Sequence, residues 1–241
     1  AETMSNPLIK VADIAGLAGI ASRVGAHLVI DNTFASPALV QPTKLGATLS
    51  LHSTTKFIAG HGDVTGGVVA GPRDIVEHLR LVSRFNGAVP GPFDAWLATR
   101  GLKTLHLRMR QQSENARAVA SWLRSHPRVS RVHYPGQEQG PLASQFLSHD
   151  RGAMMSFEVE GLDAAGAFRF LDALRLIQPA PTLGDVYSLA LYPARSSHRG
   201  LTAAQRAEFG IGDNLLRLSV GIEAVEDIIG DLDQALAAAV E

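Results

Sequence analysis

Apolar and polar positions in the N-terminal half of the chain follow two different periods. Between residues 9 and 25 the apolar side chains recur three and four positions apart, which predicts an amphipathic helix. Two short apolar runs, residues 26–31 and 47–52, each end in polar residues and indicate buried strands of a parallel sheet. Glycines bound a third candidate strand at 66–71. Strands separated by crossover segments of this length are typical of α/β folds.

Longer helical patterns follow. Helical spacing over residues 75–85 ends in turn residues, and the longest helical stretch runs from about residue 92 to 125, with a bend near Gly101. Trp96 and Trp122 lie on its apolar stripes and are expected in the core. The polar and charged side chains of its second half are interpreted as a solvated face: Arg108, Arg110, Glu114, Asn115, Arg117 and Arg124.

The last third of the chain has the pattern of a separate α+β unit. Strands are predicted at 154–159, 176–179 and 215–220, with helices at 164–174 and from 224 to the end, and a further short strand at 129–134 precedes this unit. The stretch from residue 137 to 150 is polar and weakly patterned. We therefore predict a first domain over residues 1–136 and a second over residues 137–241.

Composition narrows the classes of partner. With 22 Lys and Arg against 23 Asp and Glu, the formal charge of −1 lacks the electrostatic footprint of a nucleic-acid binder. No uncharged apolar run reaches the roughly 18–20 residues that a membrane helix needs. The chain has no cysteine and no paired histidine motif, so we expect no metal site. Its first residues lack the features of a signal peptide, and we expect a cytoplasmic protein.

Two residues with complementary chemistry end neighbouring predicted strands. Asp31 and Lys56 lie 25 positions apart, and ligands of open α/β sheets bind beyond the carboxyl ends of the strands. A lysine that forms a Schiff base with an aldehyde cofactor needs a partly buried position, and pyridoxal phosphate (PLP) needs an acid at its ring nitrogen. Ser53 and Thr55 offer hydroxyls to a phosphate. Helix capping by the acid and turn formation by the hydroxyl residues remain alternatives.

Six stretches of the chain, in order, carry a more specific resemblance. They are Asn6-Pro7 and residues 29–37, 52–64, 100–105, 183–185 and 217–223. These stretches resemble the PLP-dependent cysteine and methionine metabolism family, which includes cystathionine γ-lyase, cystathionine γ-synthase, methionine γ-lyase and the homoserine-ester sulfhydrylases. The resemblance implies the α/β fold of PLP-dependent transferases (fold type I, like aspartate aminotransferase). The chain would hold a portion of the large domain with a parallel-rich sheet, followed by the small α+β domain.

The resemblance also implies roles for individual residues. Lys56 matches the Schiff-base lysine of the family. The other cofactor residues that it implies are Asp31 at the pyridine nitrogen, Ser53 and Thr55 at the phosphate, and Asn6 near the 3′-oxygen. Arg217 matches the arginine that binds the substrate carboxylate, a role that suits a planar guanidinium. Thr182, Leu183 and Tyr187 fall in the stretch that faces the substrate.

This chain departs from the family in two respects. It is shorter, so the residues that the family supplies from an N-terminal segment are expected from outside it, and shared sites imply a homo-oligomer, a dimer or a homotetramer. Tyr187 stands where many cystathionine-handling members have glutamate, which removes an anionic contact for the distal ammonium of cystathionine. Cystathionine is therefore the less favoured substrate.

The sequence thus predicts a PLP-dependent carbon–sulfur lyase that acts on a small sulfur amino acid. The expected course is Schiff base formation, removal of the Cα proton by Lys56, and elimination. A γ-replacement enzyme of the sulfhydrylase or cystathionine γ-synthase type is the first alternative. A non-catalytic remnant that serves as an oligomerisation module is the second, and a transaminase is a third.

Overall fold

The computed structural model describes residues 1–136, Leu147 and residues 150–239. Within these residues the strands form two sheets, one of three strands and one of five. The helices pack on both, and one long helix contributes to the hydrophobic core of each.

The first sheet contains the strands that carry the predicted cofactor residues. Its strands are β1 (Val29–Asp31), β2 (Leu49–Ser53) and β3 (Gly67–Ala70), in the order β1-β2-β3. The parallel pairing predicted for the first two strands is confirmed, with Asp31 opposite Leu51. Strand β3 runs antiparallel to β2. The carboxyl ends of β1 and β2 therefore meet at one edge of the sheet, as the positions of Asp31 and Lys56 require.

The helices of this half confirm most of the helical patterns. They are α1 (Ile14–Arg23), α2 (Ser36–Leu39), α3 (Arg73–Asn86), α4 (Pro92–Leu102) and α5 (Leu105–Ser125), with a 3₁₀ turn at Pro42–Leu45. Helix α1 begins after Asp13, whose carboxylate accepts a hydrogen bond from the Gly16 N–H at 2.9 Å. The predicted bend near Gly101 separates α4 from α5. A Cβ at Gly101 would lie 2.4 Å from the Ala59 carbonyl oxygen, so only glycine allows this approach.

Two expectations about α4 and α5 are wrong. Trp96 is exposed and stacks on Phe93, whereas Trp122 packs against the core as expected. Arg108 and Asn115 are buried, although the pattern assigned them to a solvated face. Both donate hydrogen bonds to backbone carbonyls of other segments, which compensates for their burial.

The second sheet belongs to the α+β half. Its strands are β4 (Val129–His133), β5 (Met154–Val159), β6 (Gln178–Pro179), β7 (Leu189–Leu191) and β8 (Leu215–Ser219), in the order β4-β5-β8-β7-β6. Its helices are α6 (Ala164–Ala173), α7 (Ala203–Glu208) and α8 (Val225–Ala238), and a 3₁₀ turn covers Pro193–Arg195. Strand β7 and helix α7 were not predicted, because segments of three and six residues are too short for a periodic signal.

The boundary predicted at residue 137 falls among residues outside the described part, and it stays a prediction. Strand β4 precedes it and pairs with β5. Helix α5 connects the two halves, since Leu105 and Met109 pack in the core beside the first sheet while Val119 and Leu123 pack in the core of the second. In the described residues no helix has the length and apolar character to cross a membrane.

Candidate active site

Lys56 lies in a single wide helical turn, Thr54–Ile58, that follows β2. Its backbone angles, φ −94° and ψ −134°, interrupt that turn. The side-chain Nζ donates a hydrogen bond to Thr182 Oγ1 at 2.7 Å, across the two halves of the chain. The lysine is therefore held by the segment that the sequence assigned to substrate binding.

The surroundings of Lys56 favour its neutral amine. Partial burial lowers its pKa below 10.5, and the positive charge of Arg217 lowers the pKa further. The Asp185 carboxylate acts in the opposite direction and raises it. Since only the neutral amine is a nucleophile or a base, this environment increases the fraction of Lys56 that can react.

Arg217 lies in the middle of β8 and is 3% exposed. Its Nη1 donates to Asn6 Oδ1 and its Nη2 to the Thr182 carbonyl oxygen, both at 3.1 Å. Burial lowers the pKa of this guanidinium to about 10. In the described part of the chain no carboxylate lies within ion-pair distance of it. A buried cation without a counter-ion is costly unless an anionic ligand completes it.

Asn6 reaches this arginine from a loop that is tied to the second sheet. The Ser156 hydroxyl on β5 donates to the Pro7 carbonyl oxygen at 2.6 Å, which fixes the residue next to Asn6. His198 also lies in this region, near Arg217 and the Asn6 backbone, although sequence reasoning assigned it no role in the site. Burial and the charge of Arg217 lower the pKa of His198, so the neutral imidazole is favoured.

The ends of β1 and β2 are joined through Thr33. Asp31 Oδ1 accepts hydrogen bonds from the Thr33 N–H at 3.0 Å and from its hydroxyl at 2.6 Å. The same hydroxyl oxygen accepts from the Ser53 N–H at 2.9 Å. Among the described residues Asp31 Oδ2 and the Ser53 hydroxyl have no partner. Thr55 Oγ1 accepts from the Gly66 N–H at 3.1 Å, and its own proton remains available.

The segment from Thr182 to Tyr187 packs directly on the lysine turn. Gly184 has a φ of +87°, and a Cβ there would lie 2.6 Å from the Phe57 nitrogen. Its N–H donates to Ser219 Oγ at 2.9 Å. The Leu183 side chain is buried in the core, so only its backbone is available for the predicted substrate contact.

Asp185 and Tyr187 form the far end of this segment. The Asp185 carboxylate is fully buried, and neither of its oxygens has a partner in hydrogen-bond geometry among the described residues. Burial raises the pKa of Asp185, while the nearby Gly62 N–H, Lys56 and the Tyr187 hydroxyl lower it. Burial and the Asp185 carboxylate raise the pKa of Tyr187, which keeps its hydroxyl neutral. Sequence reasoning missed Asp185 as a charge beside the lysine.

The donor and acceptor groups of this region fit PLP. Lys56 has an amine whose pKa is lowered, and Ser53 and Thr55 have hydroxyl protons to donate. One carboxylate oxygen of Asp31 has no partner among the described residues. These are the groups that an aldehyde cofactor with a basic ring nitrogen and a phosphate requires. The fold and these groups match what is expected of a lysine-dependent cofactor enzyme on an α/β scaffold.

The comparison with protein families makes this assignment specific. The profile of the Cys/Met metabolism PLP-dependent enzymes matches residues 1–237, and the chain belongs to this family. Its cofactor is pyridoxal phosphate, as the sequence predicts. The resemblance and the fold class stated from the sequence are confirmed.

Individual relatives cover both reaction types that the sequence left open. The chain is 45% identical over 242 residues to L-methionine gamma-lyase of Pseudomonas putida, and 46% identical over 239 residues to cystathionine gamma-synthase of Mycobacterium bovis. Each match covers 98% of this chain and 60% of the relative. A crystal structure of cystathionine gamma synthase from Xanthomonas oryzae pv. oryzae, in complex with aminoacrylate and cysteine, superimposes with a TM-score of 0.93 at 45% identity. That match covers 99% of this chain and 62% of the solved one.

Proposed function

We propose that this chain carries the cofactor lysine and the substrate arginine of a PLP-dependent carbon–sulfur lyase for small sulfur amino acids. The observation that carries the proposal is that Thr182 contacts both groups. Its hydroxyl accepts from Lys56 and its carbonyl oxygen accepts from Arg217. A base and a carboxylate-binding cation are thereby held on either side of one residue, which suits an α-amino acid whose Cα proton is to be removed.

In this proposal four residues hold the cofactor besides Lys56. Asp31 binds the ring nitrogen, Ser53 and Thr55 bind the phosphate, and Asn6 lies near the 3′-oxygen. When bound, PLP supplies an electron sink that makes the Cα–H bond of an amino acid acidic. Among the described residues one oxygen of Asp31 has no partner and the hydroxyl protons of Ser53 and Thr55 are not donated, which supports these assignments.

The remaining residues act on the amino acid itself. Arg217 binds the α-carboxylate through its guanidinium, in exchange for the bonds that it now makes to Asn6 and Thr182. Lys56 takes the Cα proton on Nζ. The neutral Tyr187 hydroxyl favours an uncharged side chain, such as that of methionine or cysteine, over the distal ammonium of cystathionine.

The γ-replacement reading is the second candidate, because relatives of nearly equal identity are named for both reactions. The two reactions share the first proton transfer by Lys56 and differ in the fate of the sulfur or ester group. A non-catalytic remnant is disfavoured, since Lys56 and Arg217 are both present and joined through Thr182. A transaminase would use the same two residues and release no thiol.

The chain spans about 60% of the length of its curated relatives. The activity proposed here is therefore that of a whole protein to which residues outside this chain contribute. We expect residues outside this chain to complete the site, and a homo-oligomer, a dimer or a tetramer, to be the working form. The exposed, stacked pair of Phe93 and Trp96 on α4 supports a further protein surface there. A cytoplasmic location also stays part of this proposal. Sedimentation analysis and cell fractionation test these two points.

The first experiment tests covalent attachment of the cofactor. The protein is mixed with PLP and reduced with borohydride, and the modified peptide is identified by mass spectrometry. We expect the label on Lys56, its loss in Lys56→Ala, and its retention in Lys103→Ala, which removes an exposed lysine. A wild-type protein without the label on Lys56 overturns the proposal.

The second experiment separates the reactions. Protein that is loaded with PLP but not reduced is incubated with methionine, cysteine, cystathionine and a homoserine ester, with and without an added thiol. Release of thiol, ammonia and a 2-oxo acid identifies the lyase. Formation of a new thioether only with the ester identifies γ-replacement, and a 2-oxo acid without thiol identifies transamination.

A further inference from the structure

Helix α5 presents a row of three polar side chains that are almost completely buried. Arg108 is 5% exposed, Gln112 0% and Asn115 4%. At 3.6 residues per turn, positions separated by four and then three residues lie on one face of a helix. The row therefore extends about 10 Å along α5, from the half that carries Lys56 to the half that carries Arg217.

Arg108 binds the backbone immediately after Lys56. Its Nη1 donates to the Phe57 carbonyl oxygen at 2.7 Å, and its Nη2 donates to the Ile58 carbonyl oxygen at 3.1 Å. Nη2 also donates to the Gly101 carbonyl oxygen at 2.9 Å. A Cβ at residue 60 would lie 2.1 Å from Nη1, so Gly60 leaves the space that the guanidinium occupies.

Gln112 binds the segment that faces the lysine. Its Nε2 donates to the Asp185 carbonyl oxygen at 2.8 Å. The next residue, Val186, donates its N–H to the Gly60 carbonyl oxygen at 2.9 Å, which joins this segment to the end of the lysine turn. Gln112 thus supports the side of the site that Thr182 and Gly184 form against Lys56.

Asn115 binds the backbone that follows β8. Its Nδ2 donates to the carbonyl oxygens of Gly221, at 3.1 Å, and Glu223, at 2.8 Å. The Glu223 carboxylate in turn accepts from the N–H and the hydroxyl of Ser188, next to Tyr187. Asn115 therefore supports the strand end beyond Arg217 and the far end of the 182–187 segment together.

We propose that Arg108, Gln112 and Asn115 are positioning residues that fix the 182–187 segment and the end of β8 relative to Lys56. Each side chain satisfies carbonyl oxygens of a different segment, and all three stand on one rigid helix. The separation between Lys56 and Arg217 is then set by α5 as well as by the single contact through Thr182. This inference rests on the proposed function in one respect: it assumes that the separation between Lys56 and Arg217 affects the rate of the reaction.

The test removes the middle contact by Gln112→Leu. The matched control is Gln234→Leu, since Gln234 Nε2 on α8 donates to the Ala173 carbonyl oxygen at the end of α6 at 2.7 Å. Hydrogen exchange of the backbone amides is measured without cofactor. We expect exchange at residues 184–186 to be at least tenfold faster in Gln112→Leu and unchanged there in the control. Equal exchange in wild type and Gln112→Leu, or the same increase in both variants, overturns the inference.

A second pair of variants covers the case in which Gln112→Leu does not fold. Arg108→Lys keeps the charge and removes part of the carbonyl contacts, and Arg206→Lys makes the same change at a buried arginine that binds Asp213. Faster exchange at residues 57–60 is expected in the first variant alone, and its absence contradicts the inference.

Steady-state kinetics of the cofactor-loaded enzyme add a second readout, with kcat calculated per borohydride-trapped Lys56–PLP linkage so that unfolded molecules are not counted. Gln112→Leu is expected to lower kcat roughly tenfold and to leave KM within about twofold, because Arg217 still binds the carboxylate while the shifted 182–187 segment no longer holds Lys56 Nζ through Thr182. If wild type forms no Lys56–PLP linkage, the proposed function fails, and the exchange data still decide whether α5 positions the segment.

Discussion

Lys56 and Thr182 are joined by a hydrogen bond of 2.7 Å between Nζ and Oγ1, although 126 positions separate them along the chain. The contact brings the predicted base to the segment that binds the predicted carboxylate cation. Because Thr182 uses its hydroxyl for the lysine and its backbone for Arg217, the two contacts can be changed independently by mutation.

Thr182→Val removes the hydroxyl and keeps the backbone carbonyl. We expect kcat of the cofactor-loaded enzyme to fall roughly five- to tenfold, about the effect of one net hydrogen bond, with little change in KM for the amino acid. Thr182→Ser retains the hydroxyl and is the control. Steady-state kinetics with the best substrate of the screen check this. A rise in KM with unchanged kcat would mean that the hydroxyl serves the substrate and not the lysine.

The two charges beside Lys56 should shift its pKa in opposite directions. Arg217 lowers the pKa of Lys56 and Asp185 raises it. Asp185→Asn therefore lowers the pKa and increases the neutral fraction at a given pH, whereas Arg217→Gln raises the pKa toward 10.5 and decreases that fraction. Acetylation of Lys56 in the cofactor-free protein, followed by peptide mass spectrometry over pH 7–11, measures both shifts.

The exposed Lys103 is the internal reference in this experiment, because each sample reports both amines. The expected order of Lys56 acetylation at pH 8, relative to Lys103, is Asp185→Asn, wild type, Arg217→Gln. Shifts of the same sign in both variants would show that loss of packing, and not charge, controls the reactivity of this lysine.

Much of this site could be predicted because its residues follow sheet geometry. Asp31 ends β1, Lys56 follows β2, and parallel strands bring such ends to one edge. Arg217 stood out because it interrupts an apolar strand pattern, and it contacts Thr182, the residue that also contacts Lys56. The pairing of Lys56 and Arg217 with Thr182 could not be predicted, since nothing local specifies contacts over 126 and 35 positions.

The polar face of α5 shows where periodicity is not enough. Arg108 and Asn115 have the sequence character of solvent-facing residues, and their burial depends on carbonyl oxygens contributed by remote turns. These carbonyl oxygens reach α5 only in the folded chain, because 51 and 108 positions separate them from their donors in the sequence. A helical pattern of charged residues therefore does not distinguish a solvated face from a buried polar one.

The free hydroxyls at the end of β2 should control cofactor affinity. Ser53→Ala and Thr55→Val each remove a proposed phosphate donor, and each is expected to weaken PLP binding roughly tenfold, with a larger loss in the double variant. Ser50→Ala, on the same strand, removes a hydroxyl that contacts His52 and serves as the control. Equilibrium dialysis with PLP measures the dissociation constants. Unchanged affinity in both single variants would place the phosphate elsewhere.

Gly184 combines a left-handed backbone conformation with a close contact to the lysine turn, so a side chain there should lower stability. Its φ of +87° disfavours any side chain, and a Cβ would lie 2.6 Å from the Phe57 nitrogen and 3.0 Å from the Lys56 carbonyl carbon. The left-handed conformation alone costs about 1–2 kcal/mol for alanine, and the contact adds about 1–3 kcal/mol. We expect Gly184→Ala to reduce the free energy of unfolding by about 2–5 kcal/mol.

Gly161→Ala separates the two causes. Gly161 has a φ of +69°, and its added Cβ would meet no atom within 4 Å, so this variant carries the conformational cost alone. Urea unfolding of both variants, with equal slopes against denaturant, gives the two free energies. The loss of unfolding free energy in Gly184→Ala, minus the loss in Gly161→Ala, is the free energy of the steric contact between the added Cβ and the lysine turn. Faster acetylation of Lys56 in Gly184→Ala alone would show that the contact also holds the lysine in place. Equal losses in the two variants would mean that the segment moves away from the turn without resistance.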